Sequence, residues 1–174
     1  AASDVYKRQG QTYETEKLAT FKSGYAVTKF KNVDTNGVAG SDSAGNHPDT
    51  DLALIRLAEV YLNYAEAVAR GGGGSIQTAT SYINEHRTRA GAPTITSSEF
   101  NIELVMDERS RELYWEGLRR SDLIRDGKFV SGAYLWPYKG GAANGTGVSS
   151  HLKLFPIPED VLLVNPNMKQ NPNY

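Results

Sequence analysis

The chain has 174 residues, with 19 Lys and Arg against 20 Asp and Glu and a formal net charge of −1. This balance lacks the basic excess of a nucleic-acid-binding surface, so a polyanionic partner is disfavoured. The hydrophobic share of 39% is typical of a chain that folds around a core, and the absence of cysteine excludes disulfides, thiolate metal sites and cysteine nucleophiles.

The first fifty residues predict little regular structure. Residues 1–9, AASDVYKRQ, read as an arbitrary start or a junction artefact, so we expect a fragment whose natural beginning lies upstream. Alternating side chains within residues 10–30 predict a short strand or an extended arm. Residues 31–50 are rich in Gly, Asn, Asp and Ser and predict an exposed loop. No apolar run in the chain approaches the ~18 residues that a membrane helix needs.

A first helix is predicted over residues 51–70, with caps and negative charge supplied by residues 49–51. On a helical projection its polar residues fall within about 80°, so most of the cylinder is expected to be buried. The small side chains of Ala58, Ala65 and Ala69 would let neighbouring helices approach closely. The polar residues are Arg56, Glu59, Asn63, Glu66 and Arg70.

A second helix is predicted from a Ser75 cap to about Ala90, because its apolar residues recur at helical spacing. Four glycines, residues 71–74, separate the two helices, and Gly91 and Pro93 end the second one in the usual order. The pair predicts an antiparallel hairpin of about the length of one tetratricopeptide unit, although no second copy with that ~34-residue period is visible.

The third helical region carries much of the charge. We expect a helix from a cap near Ser98 to Gly117, which bends the chain into a further helix over residues 118–128. Residues 107–112 are all polar and encircle the helix, so some charge must lie on its buried side. An unpaired buried charge costs several kcal/mol, so these side chains require partners.

We therefore expect a structural network of ion pairs between packed helices. Arg109 and Glu116 lie on the apolar face, with Glu112 as the nearest partner of Arg109. Arg119 or Arg120 is the nearest partner of Glu116. Arg109→Met or Glu116→Leu alone is expected to destabilise the fold by ~3 kcal/mol or more through the partner left unpaired. The predicted network comprises Glu108, Arg109, Glu112, Glu116, Arg119, Asp122 and Arg125.

After Phe129 the chain predicts a long glycine-rich loop that carries Tyr134, Trp136 and Tyr138. Flat aromatic faces can stack on the apolar C–H surface of sugars, so these three residues are candidate ligand contacts. Alternatively, Trp136 fills a hydrophobic gap under the loop. Beyond it, residues 152–155 predict a short extended segment, and Pro158 predicts the start of a brief helical turn, with the remainder extended against the domain.

The sequence offers no convincing catalytic or metal site. Paired carboxylates such as those of the third helix serve glycoside hydrolysis, but an adjacent arginine lowers a carboxyl pKa instead of raising it into the range of an acid. We expect no catalytic residue, no metal and no cofactor. The isolated histidines are His47, His86 and His151, and the loop residues with side-chain oxygens, which lack the spacing of a calcium loop, are Asp34, Asn36 and Asp42. His86 falls on the packed face, which predicts a hydrogen-bonded core residue.

Four stretches resemble the SusD/RagB family of Bacteroidetes outer-membrane lipoproteins, in its carboxy-terminal part. They are IRLAEVYLNYAEAVAR, YINEHRTRAGAP, MDERSRELYWEGLRRSDLIRDGKF and LFPIPEDVLLVNPNMKQNPNY. The family pattern ER-x-x-EL-x-x-EG-x-R-x-x-DL-x-R is matched from Glu108 to Arg125, and the terminal FPIP and QNPNY are matched too. The resemblance covers most of residues 49–174.

The resemblance implies that residues 1–174 are the carboxy-terminal part of one mainly α-helical domain. This domain would have tetratricopeptide-like helix pairs, long loops and an extended carboxy-terminal segment. It also implies a cell-surface, non-catalytic protein that presents glycan or another nutrient to a SusC-like TonB-dependent transporter in the outer membrane. The only membrane attachment expected is a lipid on an amino-terminal cysteine that this sequence lacks. The family's main sugar-contacting residues are not in the matched motifs, so none is carried over.

Two other functions remain open from the sequence. A helical-repeat scaffold could hold a protein partner without a ligand of its own. A glycoside hydrolase would release reducing ends from a polysaccharide.

Overall fold

The computed structural model describes residues 46–174 together with residues 24, 27, 29–34, 36–42 and 44, so most of the predicted arm within residues 10–30 lies outside the described part. The fold is mainly α, as predicted. Among the described residues, β pairing is limited to an isolated bridge between Val33 and Ala39. The helices are α1 (Leu57–Ala69), α2 (Ile76–Arg89), α3 (Ile102–Glu112), α4 (Arg119–Arg125) and α5 (Glu159–Val164), with short 3₁₀ turns at Lys139–Gly141 and Ser150–Lys153.

The chain forms two compact units, which divide between Trp115 and Glu116. The first contains α1, α2 and α3, and the second contains α4, α5 and the long loop between them. No helix in the described part of the chain is both long and apolar enough to cross a membrane.

α1 begins later than predicted, with Arg56 at its N-cap and residues 51–55 outside the helix. The predicted cap, Asp49, serves a different turn. Its carboxylate accepts hydrogen bonds from the Ser41 backbone N–H at 2.6 Å and from the Ser41 hydroxyl at 2.8 Å. A carboxylate engaged in a loop cannot also cap a helix, and the residue at the N-cap, Arg56, makes no side-chain capping hydrogen bond.

α1 and α2 form the predicted antiparallel hairpin. Tyr82 stacks on Tyr61 with ring centroids 4.1 Å apart and meets the edge of Tyr64 at 5.4 Å. Tyr64, late in α1, also accepts a hydrogen bond through its hydroxyl from the backbone N–H of Ser75, which precedes α2. The Ser75 side chain in turn caps α2, accepting from the N–H of Thr78, as predicted.

The apolar core of the first unit is small. Of the three alanines predicted to lie where helices meet, Ala58 and Ala65 are buried and Ala69 is half-buried. Among the described residues of this unit, the remaining buried apolar side chains are Leu62, Ala79, Ile83, Ile95, Val105, Met106 and Leu113.

The buried face of α1 differs from the prediction. Glu66, from the polar stripe, is buried, whereas Leu57 and Val60 are exposed. The physical reason is α3. Its buried charges need partners of opposite sign, and Glu66 of α1 provides one by facing Arg109.

α3 begins at a different cap from the one predicted. The Asn101 side chain accepts from the backbone N–H of Leu104 at 2.9 Å, while Ser98 lies outside the helix. Ser98 instead shares a turn with Thr96, whose N–H and hydroxyl both bind the Glu99 carboxylate. The predicted helix is too long at its end, because α3 stops at Glu112 and Trp115 already has a φ of +63°. Gly117, with a φ of +78°, lies between this end and the start of α4.

The carboxy-terminal segment lies along residues 154–157 of the second unit. The Gln170 side-chain amide binds both the N–H and the C=O of Ile157 at 2.8 Å. Asn171 donates to the Phe155 carbonyl and the Tyr174 hydroxyl donates to the Leu154 carbonyl. These bonds tie QNPNY to LFPIP, which confirms the predicted docking of the tail. The predicted extended segment is wrong over Leu152 and Lys153, which lie in a 3₁₀ turn.

Candidate functional site

The loop after α4 carries the three aromatic residues predicted as ligand contacts. Trp136 is 37% exposed, and Tyr134 and Tyr138 are half-buried. The rings of Tyr134 and Trp136 lie 5.9 Å apart at an angle of 59°. We call residues 129–147 the aromatic loop.

Tyr134 is engaged with the protein itself. Its hydroxyl accepts a hydrogen bond from the guanidinium of Arg119 in α4 at 2.6 Å, and that guanidinium lies 5.8 Å from the ring centroid. The Lys128 ammonium lies 5.7 Å from the same ring. Trp136 is therefore the most accessible of the three candidates, and Tyr134 is an anchor of the loop.

Lys139 closes the aromatic loop and was not predicted from the sequence. Its side chain is buried, and Nζ donates to the carbonyl oxygens of Lys128 at 3.2 Å, Ser131 at 2.7 Å and Tyr134 at 2.6 Å. The same ammonium lies 4.6 Å from the centroid of the Trp136 ring. The sequence signal was a lone lysine between an aromatic cluster and two glycines, which by itself is common on protein surfaces.

Two glycines allow backbone segments of the aromatic loop to approach each other closely. A Cβ on Gly145 would lie 2.4 Å from the Trp136 carbonyl oxygen, and the φ of Gly145 is +76°. A Cβ on Gly147 would lie 3.3 Å from the backbone of Gly132. The aromatic loop is therefore packed against its own backbone, not extended into solvent.

Three buried carboxylates in the first unit are each bound by two arginines. Glu66 binds Arg70 at 2.8 Å and Arg109 at 3.5 Å. Glu108 binds Arg87 and Arg111, both at 2.8 Å. Glu112 binds Arg56 at 2.8 Å and Arg89 at 2.7 Å. We call these nine side chains the arginine–glutamate network.

The partner predicted for Arg109 is wrong. Arg109 was paired with Glu112, three residues along the same helix, but it reaches Glu66 of α1 and donates to the Asn63 side chain at 2.6 Å. Glu112 instead receives Arg56, from the N-cap of α1, and Arg89, from the end of α2. Sequence spacing favours partners on the same helix, whereas packing brings partners from neighbouring helices.

The other predicted network residues lie in the second unit. Asp122 is buried and binds Arg125, three residues further along α4, at 2.7 Å. Glu116 and Arg119 are half-buried. Arg120 stacks on the ring of Phe155 at 4.1 Å and donates to the carbonyl of Leu152 at 2.7 Å.

The carboxylate of Glu112 is held in its charged form. Burial by itself would raise the pKa of Glu112, but the hydrogen bond from Arg56 and the charges of Arg89 and Arg56 outweigh it and lower the pKa. A group with a lowered pKa is a poor general acid, because it holds no proton to donate near neutral pH.

His86 is buried beside this carboxylate, with its ring 5.8 Å from that of Tyr61. Burial was predicted, but the expected hydrogen bond is missing at Nε2, which has no partner among the described residues. Burial lowers the pKa of His86; Glu112 partly opposes this, and the charges of Arg89 and Arg56 reinforce it.

The buried His86 predicts an acid-sensitive step in stability. Because its folded pKa lies below the unfolded value of 6.5, the unfolded chain binds more protons, and stability present at pH 7 is lost as the pH falls through 6.5 toward the folded pKa. In that range the free energy of unfolding changes by at most about 1.4 kcal/mol per pH unit. We expect His86→Phe to reduce this pH dependence, as measured by urea unfolding at pH 7.5, 6.5 and 5.5.

The matched control is His47→Asn, at an exposed histidine that should leave the slope as in the parent. An unchanged slope in His86→Phe would contradict the assignment. Below about pH 4.5 a separate loss is expected from Glu112, whose lowered pKa makes it a stabilising carboxylate above that pH.

No metal site is assembled in the part of the chain that the structure describes. No group of three or more His, Asp or Glu side chains there could hold an ion. The acidic loop residues stabilise turns instead. Asp34 accepts from the N–H groups of Asn36 and Val38, and Asp42 from those of Ala44, Asn46 and His47.

A second exposed aromatic pair was not predicted from the sequence. Tyr114 and Trp115 follow α3, with rings 6.3 Å apart in an edge-to-face arrangement. Trp115 is 63% exposed. Both residues lie within the charged REL-x-x-EG motif, whose pattern predicts buried charge and carries no signal for exposed aromatic rings.

Comparison with protein families gives one consistent result. The model of the SusD family matches residues 3–174. The starch-binding protein SusD of Bacteroides thetaiotaomicron is 44% identical over 161 residues, which are 92% of this chain and 28% of that protein. The chain spans less than a third of the length of the curated relatives it matches.

Solved structures agree with the sequence match. A SusD superfamily protein from Bacteroides vulgatus superposes with a TM-score of 0.59 at 34% identity, covering 79% of this chain and 31% of that one. Surface glycan-binding protein A from Bacteroides thetaiotaomicron superposes with a TM-score of 0.61 at 28% identity, covering 92% of this chain and 34% of that one.

Proposed function

Because the chain belongs to the SusD family, we propose that it forms part of a non-catalytic cell-surface subunit that binds glycan or another nutrient. This subunit would deliver its ligand to a SusC-like TonB-dependent transporter in the outer membrane. The observation that carries the proposal is the 44% identity to a protein named for starch binding, over nearly the whole chain. Attachment to the outer membrane through an amino-terminal lipid belongs to the same proposal.

We propose that the arginine–glutamate network serves the fold and not a reaction. Each carboxylate is buried and bound by two guanidinium groups, so its oxygen atoms are occupied by partners within the protein. We extend this structural role to Glu116, Arg119, Asp122 and Arg125. A glycoside hydrolase is the rival that this arrangement disfavours.

The first experiment measures binding and turnover together. The intact protein is titrated by calorimetry with starch and with a panel of other polysaccharides, and released reducing ends are assayed in parallel. The proposal expects saturable binding to at least one polysaccharide without release of reducing ends. Capture of the transporter without binding to any glycan would favour the scaffold function, and sustained release of reducing ends would favour the hydrolase.

We further propose that Trp136 is a stacking surface for the ligand. Its indole is the most accessible ring of the aromatic loop and is flanked by Tyr134 at 5.9 Å. Removing a central aromatic contact typically costs about 1–2 kcal/mol, so Trp136→Ala should weaken glycan binding by on the order of tenfold. The change is measured by calorimetry with the best ligand of the panel.

Trp115→Ala is the matched control, because it removes the other tryptophan of the chain from a more exposed position outside the aromatic loop. It should leave the affinity unchanged. Equal affinity after replacing Tyr134, Trp136 and Tyr138 together by alanine would rule out the aromatic loop as the binding site.

A further inference from the structure

We propose that Lys139 is the positioning residue of the aromatic loop, whose buried ammonium fixes the indole of Trp136 so that a single face of the ring is presented to a sugar. The inference rests on the proposed function and deepens it. Lys139 would hold the indole ring of Trp136 in place before a ligand binds, and Trp136 itself would contact the ligand.

The ammonium group is fully used inside the loop. A lysine ammonium has three N–H donors, and Lys139 meets three carbonyl oxygens, of Lys128, Ser131 and Tyr134. These carbonyls lie 11, 8 and 5 residues before it in the chain. One side chain therefore gathers three separate points of the segment that leads up to Trp136.

Lys139 also contacts Trp136 in two ways. Its backbone N–H donates to the Trp136 carbonyl at 3.1 Å, and its Nζ lies 4.6 Å from the centre of the indole ring. A cation over an aromatic face is attracted by the π electrons, and the attraction grows when the cation is desolvated, as it is at 3% exposure. Both the backbone and the ring of Trp136 are thus held by one residue.

The position of the Lys139 ammonium determines which face of the Trp136 indole a ligand can reach. Because one face of the indole lies against Nζ, a ligand can stack only on the opposite face. A single flat aromatic face suits the apolar C–H side of one pyranose ring, so the expected ligand class is a neutral hexopyranose within a longer glycan. A sandwich of a sugar between two faces of the loop is not expected.

By holding the indole in place, Lys139 would reduce the entropy that is lost when a ligand binds. A free indole must be immobilised when a ligand stacks on it, whereas a ring already fixed has no such cost. Loss of the Lys139 ammonium should therefore weaken glycan binding roughly two- to tenfold, which corresponds to the typical cost of ordering one side chain.

The experiment compares Lys139→Ala with chemical rescue, in a Trp115→Phe background where Trp136 is the sole tryptophan. Alanine keeps Cβ, so n-propylammonium can replace the missing part of the side chain, and n-propanol is the uncharged control. We expect Lys139→Ala to shift Trp136 emission to the red, to raise its quenching by acrylamide and to weaken binding of the best polysaccharide. The ammonium compound should reverse all three effects, and the alcohol should not.

Lys153→Ala, at an exposed lysine of the same unit, should behave like the parent. If Lys139→Ala does not fold, Lys139→Met, which keeps an apolar stem without the charge, is tested by the same emission and affinity measurements. Unchanged emission and affinity, or equal rescue by alcohol, would overturn the inference. If the parent protein binds no polysaccharide, the proposed function fails, but emission and its rescue still decide whether Lys139 positions Trp136.

Discussion

Replacing Glu66 by leucine is expected to lower the free energy of unfolding by about 3–5 kcal/mol, because it removes the buried carboxylate that binds both Arg70 and Arg109. Arg109 is 2% exposed and has no room to regain water. The loss is measured by urea unfolding at pH 7. A loss below about 1 kcal/mol would mean that the Glu66–Arg109 pair contributes no more than a surface pair.

A double-mutant cycle separates the charge from the packing. In Glu66→Leu with Arg109→Met, both charges are replaced by apolar side chains of similar size, so most of the lost stability should return. Arg109→Met alone should cost less than Glu66→Leu, because Glu66 still binds Arg70 at 2.8 Å.

Arg89→Met is the matched control within the same network. The Arg89 side chain is 60% exposed, and its partner Glu112 keeps Arg56 at 2.8 Å. The expected cost is that of a surface ion pair, about 0–1 kcal/mol. An equal cost for Arg89→Met and Glu66→Leu would contradict the view that burial decides the effect.

Gly145→Ala is expected to destabilise the second unit by about 3–5 kcal/mol, because strain at a positive φ and steric overlap add together. The added Cβ would lie 2.4 Å from the Trp136 carbonyl oxygen, a backbone atom that can move only with the whole aromatic loop. Urea unfolding followed by tryptophan fluorescence measures the loss. The same variant should weaken glycan binding, since it displaces the backbone of Trp136.

Gly127→Ala isolates the backbone component. Gly127 has a similar φ of +71°, but no atom lies within 4 Å of an added Cβ. It should cost about 1–2 kcal/mol, the value for an ordinary residue in the left-handed region. Similar losses for the two variants would show that the close approach at Trp136 is unimportant.

The sequence predicted local features well. Helical periodicity located α2 to within a residue, and Ser75 caps it as expected. Asp122 and Arg125, both named in the predicted network, bind each other within one helix. These features depend on neighbours a few residues away, which sequence alone specifies.

Features that depend on distant contacts were missed. Asp49 appeared to cap α1, but Ser41 competes for its carboxylate. The partners of Arg109 and Glu112 come from other helices, and no spacing rule identifies them. The candidate site shows the same limit. Three aromatic residues predicted the loop as a candidate site, but the Lys139 ammonium is bound by carbonyl oxygens up to 11 residues away, which no spacing rule identifies.

The two-to-one ratio of arginines to glutamates makes the network unequal in its tolerance of change. Loss of an arginine such as Arg87 or Arg70 leaves the carboxylate bound to the other arginine of its pair, whereas loss of a glutamate removes a counter-ion from two arginines at once. The network should therefore tolerate substitution of an arginine better than substitution of a glutamate. Among diverging copies of this segment, we therefore expect drift to be freer at these arginine positions than at Glu66, Glu108 and Glu112.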